Sequence, residues 1–202
     1  NIYAGYGMAR YDLDKLMLLG GVRYEKTNID YTGINIITDR GKYDDMDTLN
    51  DKRTHGFILP QFQVKYRVDK TFNLRGALTY SYSRPNFEDV LPYREEDHDE
   101  VKYGNPELKF PKSMNIDLLA EKYVGRNVFS GGLFFKNIEN FIFYYKRFAH
   151  EGDPTSGDYH LVEITKAING IRAYVYGAEL QTQFKFSFLQ GFASDFGLYA
   201  NY

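Results

Sequence analysis

The chain has 202 residues, enough for one sizeable domain, and its 43% hydrophobic and 26% charged content excludes a disordered or low-complexity polypeptide. A formal charge of -2 offers no basic face to a phosphate backbone, so no nucleic acid is expected as a partner. With no cysteine, disulfides, thiolate metal sites and cysteine nucleophiles are excluded.

The marked bias is aromatic: 19 Tyr and 16 Phe with no Trp, beside 18 Gly, a composition that points toward β-structure. No stretch approaches the roughly 20 apolar residues of a transmembrane helix. Insertion through strands stays open, because a barrel strand shows only alternate residues to lipid. Asn1 carries neither an initiator Met nor a signal-peptide pattern, so the chain is expected to be a cut-out piece or a processed product.

In chain order, residues 2–11 alternate weakly and reach a tight turn at 12–15. Residues 16–25 set Leu16, Leu18, Val22 and Tyr24 on one parity and end the other in Arg23 and Glu25. A long polar connection is expected over 26–56. Residues 59–68 are sharper, with Phe62, Val64, Tyr66 and Val68 opposite Gln61, Gln63, Lys65 and Arg67. After a turn at 69–71, residues 72–83 set Leu74, Leu78, Tyr80 and Tyr82 against Asn73, Arg75 and Thr79. A second long connection, 84–112, leads to residues 114–124, where Met114, Ile116, Leu118 and Ala120 oppose Asn115, Asp117 and Glu121. A turn at 125–127 precedes a weaker run over 128–135 that is expected to continue through 141–147. The third long connection is 148–169; residues 174–186 then form a long alternating strand, 187–191 a tight turn, and 192–202 a last weak run. The expectation is about eight strands and no helix.

Two features separate the barrel reading from a soluble antiparallel sandwich, in which the same alternation would face a core. The runs have about ten or more residues, the length of a bilayer-spanning strand, where soluble strands have about five or six. Tight turns alternate with long polar connections, the rim asymmetry of outer-membrane barrels. Lys122 breaks the apolar parity, but it lies next to the turn at 125–127, where a lysine can snorkel to headgroups.

The segment GGVRYEKT at 20–27 resembles a strand ending of the TonB-dependent outer-membrane receptors. LPQFQVKY at 59–66, NLRGALTYSYSRPNFEDVLPY at 73–93 and GNPELKFPKSMNIDLLAEKY at 104–123 are similar to the barrel of the same family, particularly its versions in Bacteroidetes-like bacteria. LFFKNIENFI from Leu133 and YGAELQTQF from Tyr176 continue in the family's order. The resemblance implies an all-β fold, an antiparallel transmembrane β-barrel of about 22 strands with a plugged lumen. Residues 1–202 would be a partial barrel domain, lacking the plug and the remaining strands. It further implies a bacterial outer-membrane receptor that imports a scarce ligand with energy transmitted by TonB. Its partners would be outer-membrane lipid, the TonB complex through the missing amino-terminal part, and a small-molecule, metal-chelate or glycan ligand. No cofactor is implied.

On that reading Arg23, Glu25, Gln63, Lys65, Arg67, Arg75, Glu179, Gln181 and Lys185 point into the lumen. Tyr24, Tyr80, Tyr82 and Tyr176 suit an interfacial aromatic girdle. The long connections face outward and meet the ligand first. Within them Tyr43, Tyr93, Tyr103, Tyr159 and His98 are the candidate contacts, although packing between loops is the commoner use of such tyrosines. The acidic run Glu95, Glu96, Asp97, His98, Asp99, Glu100 lacks the spacing and turn glycine of a dedicated calcium loop, and a solvated role is expected. None of the histidines His55, His98, His150 and His160 stands at zinc-ligand spacing, and there is no Gly-x-Ser-x-Gly elbow or phosphate loop, so no catalytic or metal residue is assigned. Two alternatives remain: a passive porin or small barrel protein, and a soluble β-rich carbohydrate-binding module.

Overall fold

A computed structural model describes residues 1–39, 42–96, 100–150 and 161–202. Its main body is an 8-stranded sheet in the order β1-β2-β3-β4-β7-β8-β11-β12, every neighbouring pair antiparallel. The strands are β1 (Ile2–Leu13), β2 (Leu16–Asp39), β3 (Lys42–Arg67), β4 (Phe72–Tyr82), β7 (Lys112–Val124), β8 (Asn127–Glu139), β11 (Arg172–Lys185) and β12 (Gly197–Asn201). Three tight turns join them at one rim, each with its own chemistry. Asp14 and Gly125 take positive φ, of 21° and 60°, in two-residue hairpins whose reversal matches strand twist. Between β3 and β4 the Asp69 carboxylate accepts the Thr71 N–H at 2.6 Å and its hydroxyl at 2.8 Å, a side chain mimicking a backbone turn.

Register fixes two faces. Phe62 stands opposite Leu78, Leu78 opposite Ile116, and Gly76 opposite Leu118, so the apolar parities of successive strands share one side. Gln61 opposite Thr79 and Lys65 opposite Arg75 share the other. A sandwich would tuck the apolar side between two layers. Here Phe62 keeps 47%, Leu78 37% and Leu118 55% of its surface exposed, so the sandwich expectation fails and an open wall remains. Lys122, the parity exception, lies at the turn rim with its Nζ 2.8 Å from the Thr71 hydroxyl and 3.5 Å from Asp69.

The long connections are not plain loops. The expected connection at 26–56 is instead a continuation of β2 and β3, paired from Lys26 opposite Gly56 to Asp39 opposite Lys42 with one irregularity after Ile37. Its polarity hid a strand signal, since Ile29, Thr32, Ile34, Ile36, Ile37 and Thr38 are β-branched. The other two connections build a 4-stranded sheet in the order β5-β6-β10-β9: β5 (Arg94–Glu96), β6 (Glu100–Tyr103), β9 (Ile142–His150) and β10 (Leu161–Asn169). The β6–β10 pair is parallel, so this layer departs from the all-antiparallel expectation. The expected continuation of residues 128–135 through 141–147 also fails. Asn140 takes φ 55° between β8 and β9, and the chain leaves the wall there. The tight turn expected at 187–191 is wider and includes a 3-10 turn over Gly191–Asp195.

The buried core lies in the outer layer and at its contact with β2. Tyr31, Val90, Leu108 and Ala167 form one cluster, with Ile29, Leu91 and Ile142 against it. Val101, Ala149 and Ile164 form a second, with Tyr103 against it. The polar connections thus carry the apolar residues that the wall does not bury.

Candidate functional site at the outer end of the wall

Pairing between β3 and β4 stops at Gln61 and Thr79, while β3 continues along β2 and β4 along β7. The wall therefore parts at its outer end. At this notch the Tyr82 ring stacks on Phe57 at 3.9 Å with 7° between planes, and its hydroxyl donates to Glu25. Glu25, opposite Phe57 in register, also accepts from Arg23 at 2.8 Å and Arg84 at 2.7 Å. Its side chain is 7% exposed, so one carboxylate ties two guanidiniums and a phenol in a nearly dry setting. Phe110, just ahead of β7, extends the stack, 5.5 Å from Phe57 and 4.2 Å from His55. The Lys112 ammonium lies 5.7 Å over the Phe57 ring. Burial, helped by the Arg53 charge, lowers the His55 imidazole from its ordinary value.

Next to this cluster lies a cleft of about 330 Å³, between the chain leaving β4 and the start of β9. Asp89, 8% exposed, stands in its lining beside Arg84 and Tyr144. Asp89 Oδ2 accepts from Asn86 Nδ2 and from the Tyr144 hydroxyl, each at 3.1 Å. The Asp89 carbonyl accepts the Asn105 N–H at 2.6 Å, and Asn105 Nδ2 donates to the Ala167 carbonyl at 2.8 Å. The two motif segments of the sequence are thereby clamped to each other and to β10.

Of the tyrosine candidates, the structure brings Tyr93 and Tyr103 together at the β5–β6 hairpin. The Gly104 N–H donates to the Tyr93 carbonyl at 3.0 Å, and the Arg94 guanidinium lies 5.7 Å over the Tyr103 ring. Both are half-buried. Burial first, then the nearby carboxylates of Glu95, Asp89 and Glu88, raise the Tyr93 phenol above its ordinary value. Tyr43 pairs with Thr38 near the tip of the β2–β3 hairpin, and its side chain lies outside the described residues, as do His98 and Tyr159. In the acidic run, Glu100 accepts from the Thr165 hydroxyl at 3.0 Å and lies 3.3 Å from Lys102 Nζ; Asp97 and Asp99 are outside the described residues. Among the described residues no group of three or more acidic, His or Cys side chains is placed to hold a metal. No helix there is long and apolar enough to cross a membrane, which says nothing of strands.

Residue-by-residue reading of the sequence missed the Phe57–Tyr82–Glu25 cluster and the Asp89 triad. Its place near the end of an alternating run assigns Tyr82 to a girdle with Tyr24, Tyr80 and Tyr176, whereas its ring lies on Phe57. The usable signal was the pair of motif segments at 73–93 and 104–123, which hold Tyr82, Arg84, Asn86, Asp89, Asn105 and Phe110 together.

No curated protein matches the chain by sequence. Among solved structures it resembles the Serratia marcescens hemophore receptor HasR, solved as a double mutant with its hemophore HasA and heme, at 17% identity and TM-score 0.68, over 90% of this chain and 31% of that one. It also resembles the copper transporter OprC, at 16% identity and TM-score 0.67, over 91% of this chain and 26% of that one. A third is the ferric-catecholate import receptor Fiu of Escherichia coli K12, at 14% identity and TM-score 0.62, over 91% of this chain and 25% of that one. At these identities the likeness establishes the fold, a segment of a larger barrel, and the chain spans about a third or less of each of these structures. The sequence model of the family described as TonB dependent receptor-like, beta-barrel matches residues 1–202, and the chain belongs to that family.

Proposed function

We propose that this chain forms part of the wall and the extracellular layer of an outer-membrane receptor that binds a scarce external ligand and imports it with energy supplied through TonB. The observation that carries the proposal is the uncovered apolar face of the sheet, continuous through Phe62, Leu78 and Leu118, beside a buried core confined to one end. A face of this kind is stable against hydrocarbon and costly against water. The opposite face is polar, with Arg75 paired to Glu121 at 2.8 Å, as expected of a water-filled or plugged interior.

The outer layer then meets the ligand, a small molecule, metal chelate or glycan, with Tyr43, Tyr93, Tyr103, His98 and Tyr159 as proposed contacts. The work is binding and passage, without catalysis. Residues 1–202 act as a partial barrel domain, completed by further strands, a plug and a TonB-contacting segment.

The test is ligand accumulation by cells that carry the full-length receptor, with and without functional TonB. Accumulation that needs both supports the reading. Accumulation that persists without TonB rejects it in favour of a passive porin.

A further inference from the structure

We propose that the outer layer holds a binding cleft for a single neutral saccharide unit, between the chain leaving β4 and the start of β9. This deepens the receptor reading and rests on it. The cleft brings a donor and an acceptor to one space without pairing them. Asp89 lines the cleft with Arg84 but makes no ion pair or hydrogen bond to it among the described residues, and its Oδ2 is held by the neutral donors Asn86 and Tyr144. Arg84 is fixed from the other side: its Nη2 donates to Glu25 at 2.7 Å and to the Tyr82 hydroxyl at 2.9 Å, while Nε and Nη1 have no partner among the described residues. Pro85, Pro111, Phe141 and Ile142 supply apolar walls.

These facts select a ligand chemistry. A simple cation satisfies the carboxylate and repels the guanidinium; a simple anion does the reverse. The two guanidiniums of Arg23 and Arg84 and the two carboxylates of Glu25 and Asp89 sum to zero charge, and two donors already solvate Asp89, so what the cleft lacks is hydrogen bonding more than charge. A hydroxyl both donates and accepts. A ring bearing several of them can donate to Asp89, accept from Arg84 and lay its C–H face on Phe141 and the prolines. The volume, about 330 Å³, is at the small end of ligand pockets and matches one sugar ring.

The experiment uses the purified full-length receptor in detergent and saturation-transfer NMR with methyl glycosides of glucose, galactose, mannose and N-acetylglucosamine, and with free glycine and leucine as zwitterionic probes. At least one glycoside is expected to bind, with Tyr144→Phe and Arg84→Lys each weakening it by about tenfold. Tyr144 is exposed and the Phe variant keeps its ring, so that variant decides the matter if Arg84→Lys fails to fold. Silence from all the glycosides, binding unchanged in Tyr144→Phe, or binding of the amino acids in their place overturns the proposal. The measurement uses no TonB and no energised membrane, so its failure leaves the import reading standing, and TonB-independent uptake leaves a positive binding result standing.

Discussion

A Cβ added at Gly104 would lie 1.7 Å from the Leu91 carbonyl oxygen and 2.7 Å from the Tyr93 ring, a collision with backbone that no rotamer relieves. Gly104→Ala is therefore expected to dislodge the β5–β6 hairpin at a cost of about 3 kcal/mol or more. Limited proteolysis should show early cleavage within 84–112, and a variant as resistant as the wild type would contradict this reading. On the wall, Leu118→Arg and Leu78→Arg place a guanidinium on the apolar face, at about 2 to 4 kcal/mol near a bilayer midplane, whereas Gln63→Arg adds it to the polar face. The first two should fold poorly into lipid vesicles and the third well; equal yields for all three would reject the face assignment. These faces were legible in the sequence because period-two alternation survives wherever strands stay paired, as at Phe62, Leu78 and Leu118. Tyr82 was not legible. Its side is decided by the parting of β3 from β4, which is a property of two strands at once, and the Gly104 contact likewise arises only when the chain folds back on Leu91.

Phe57 is 5% exposed at the centre of the aromatic stack where β3 parts from β4, so Phe57→Ala should cost about 3 to 5 kcal/mol while Phe57→Leu costs less. Hydrogen exchange resolves where the cost falls: faster exchange at the outer ends of β3 and β4 with β8 and β11 unchanged is expected, and uniform loosening would show the wall to be one cooperative unit. The four-stranded sheet, through Glu100 on β6, and the parting of β3 from β4, through His55 on β3, should each respond to acid. The hydrogen bond from Thr165, ahead of the Lys102 contact, lowers the Glu100 carboxyl from its ordinary 4.5, and burial lowers His55 from its ordinary 6.5. Both depressions have one sign. The His55 contribution is complete above about pH 6.5 and declines below it, and that of Glu100 declines as pH falls below about 4.5. Exchange corrected for intrinsic rate should accelerate in β3 around His55 as pH falls from about 7 to about 5 and in β6 and β10 as it falls from about 5 to about 4; unchanged protection would assign their stability to apolar packing alone. At this scale the wall strands were readable from alternation and length, but the second sheet was not. Its strands, short in β5 and β6, are separated by polar segments, and β6 pairs in parallel with a strand that follows β9 in sequence, so no local pattern marks them.

For the molecule as a whole, the eight-stranded wall ends at β1 and β12, each paired on one side only among the described residues. The 12-residue edge of β1 is long enough to template further pairing. The 202-residue polypeptide, refolded alone in detergent, is thus expected to sediment as dimers or larger species, and a sharply monodisperse monomer would show that the edges close on each other. The β2–β3 hairpin has a different consequence. Its strands have 24 and 26 residues, about 80 Å of extended chain, of which a tilted bilayer crossing uses about ten residues, so about 45 Å of strand is left beyond the crossing. On the proposed receptor reading the ribbon is open to an antibody or a phage tail fibre, and a peptide tag placed between Asp39 and Lys42 is expected to be stained on living, unpermeabilised cells.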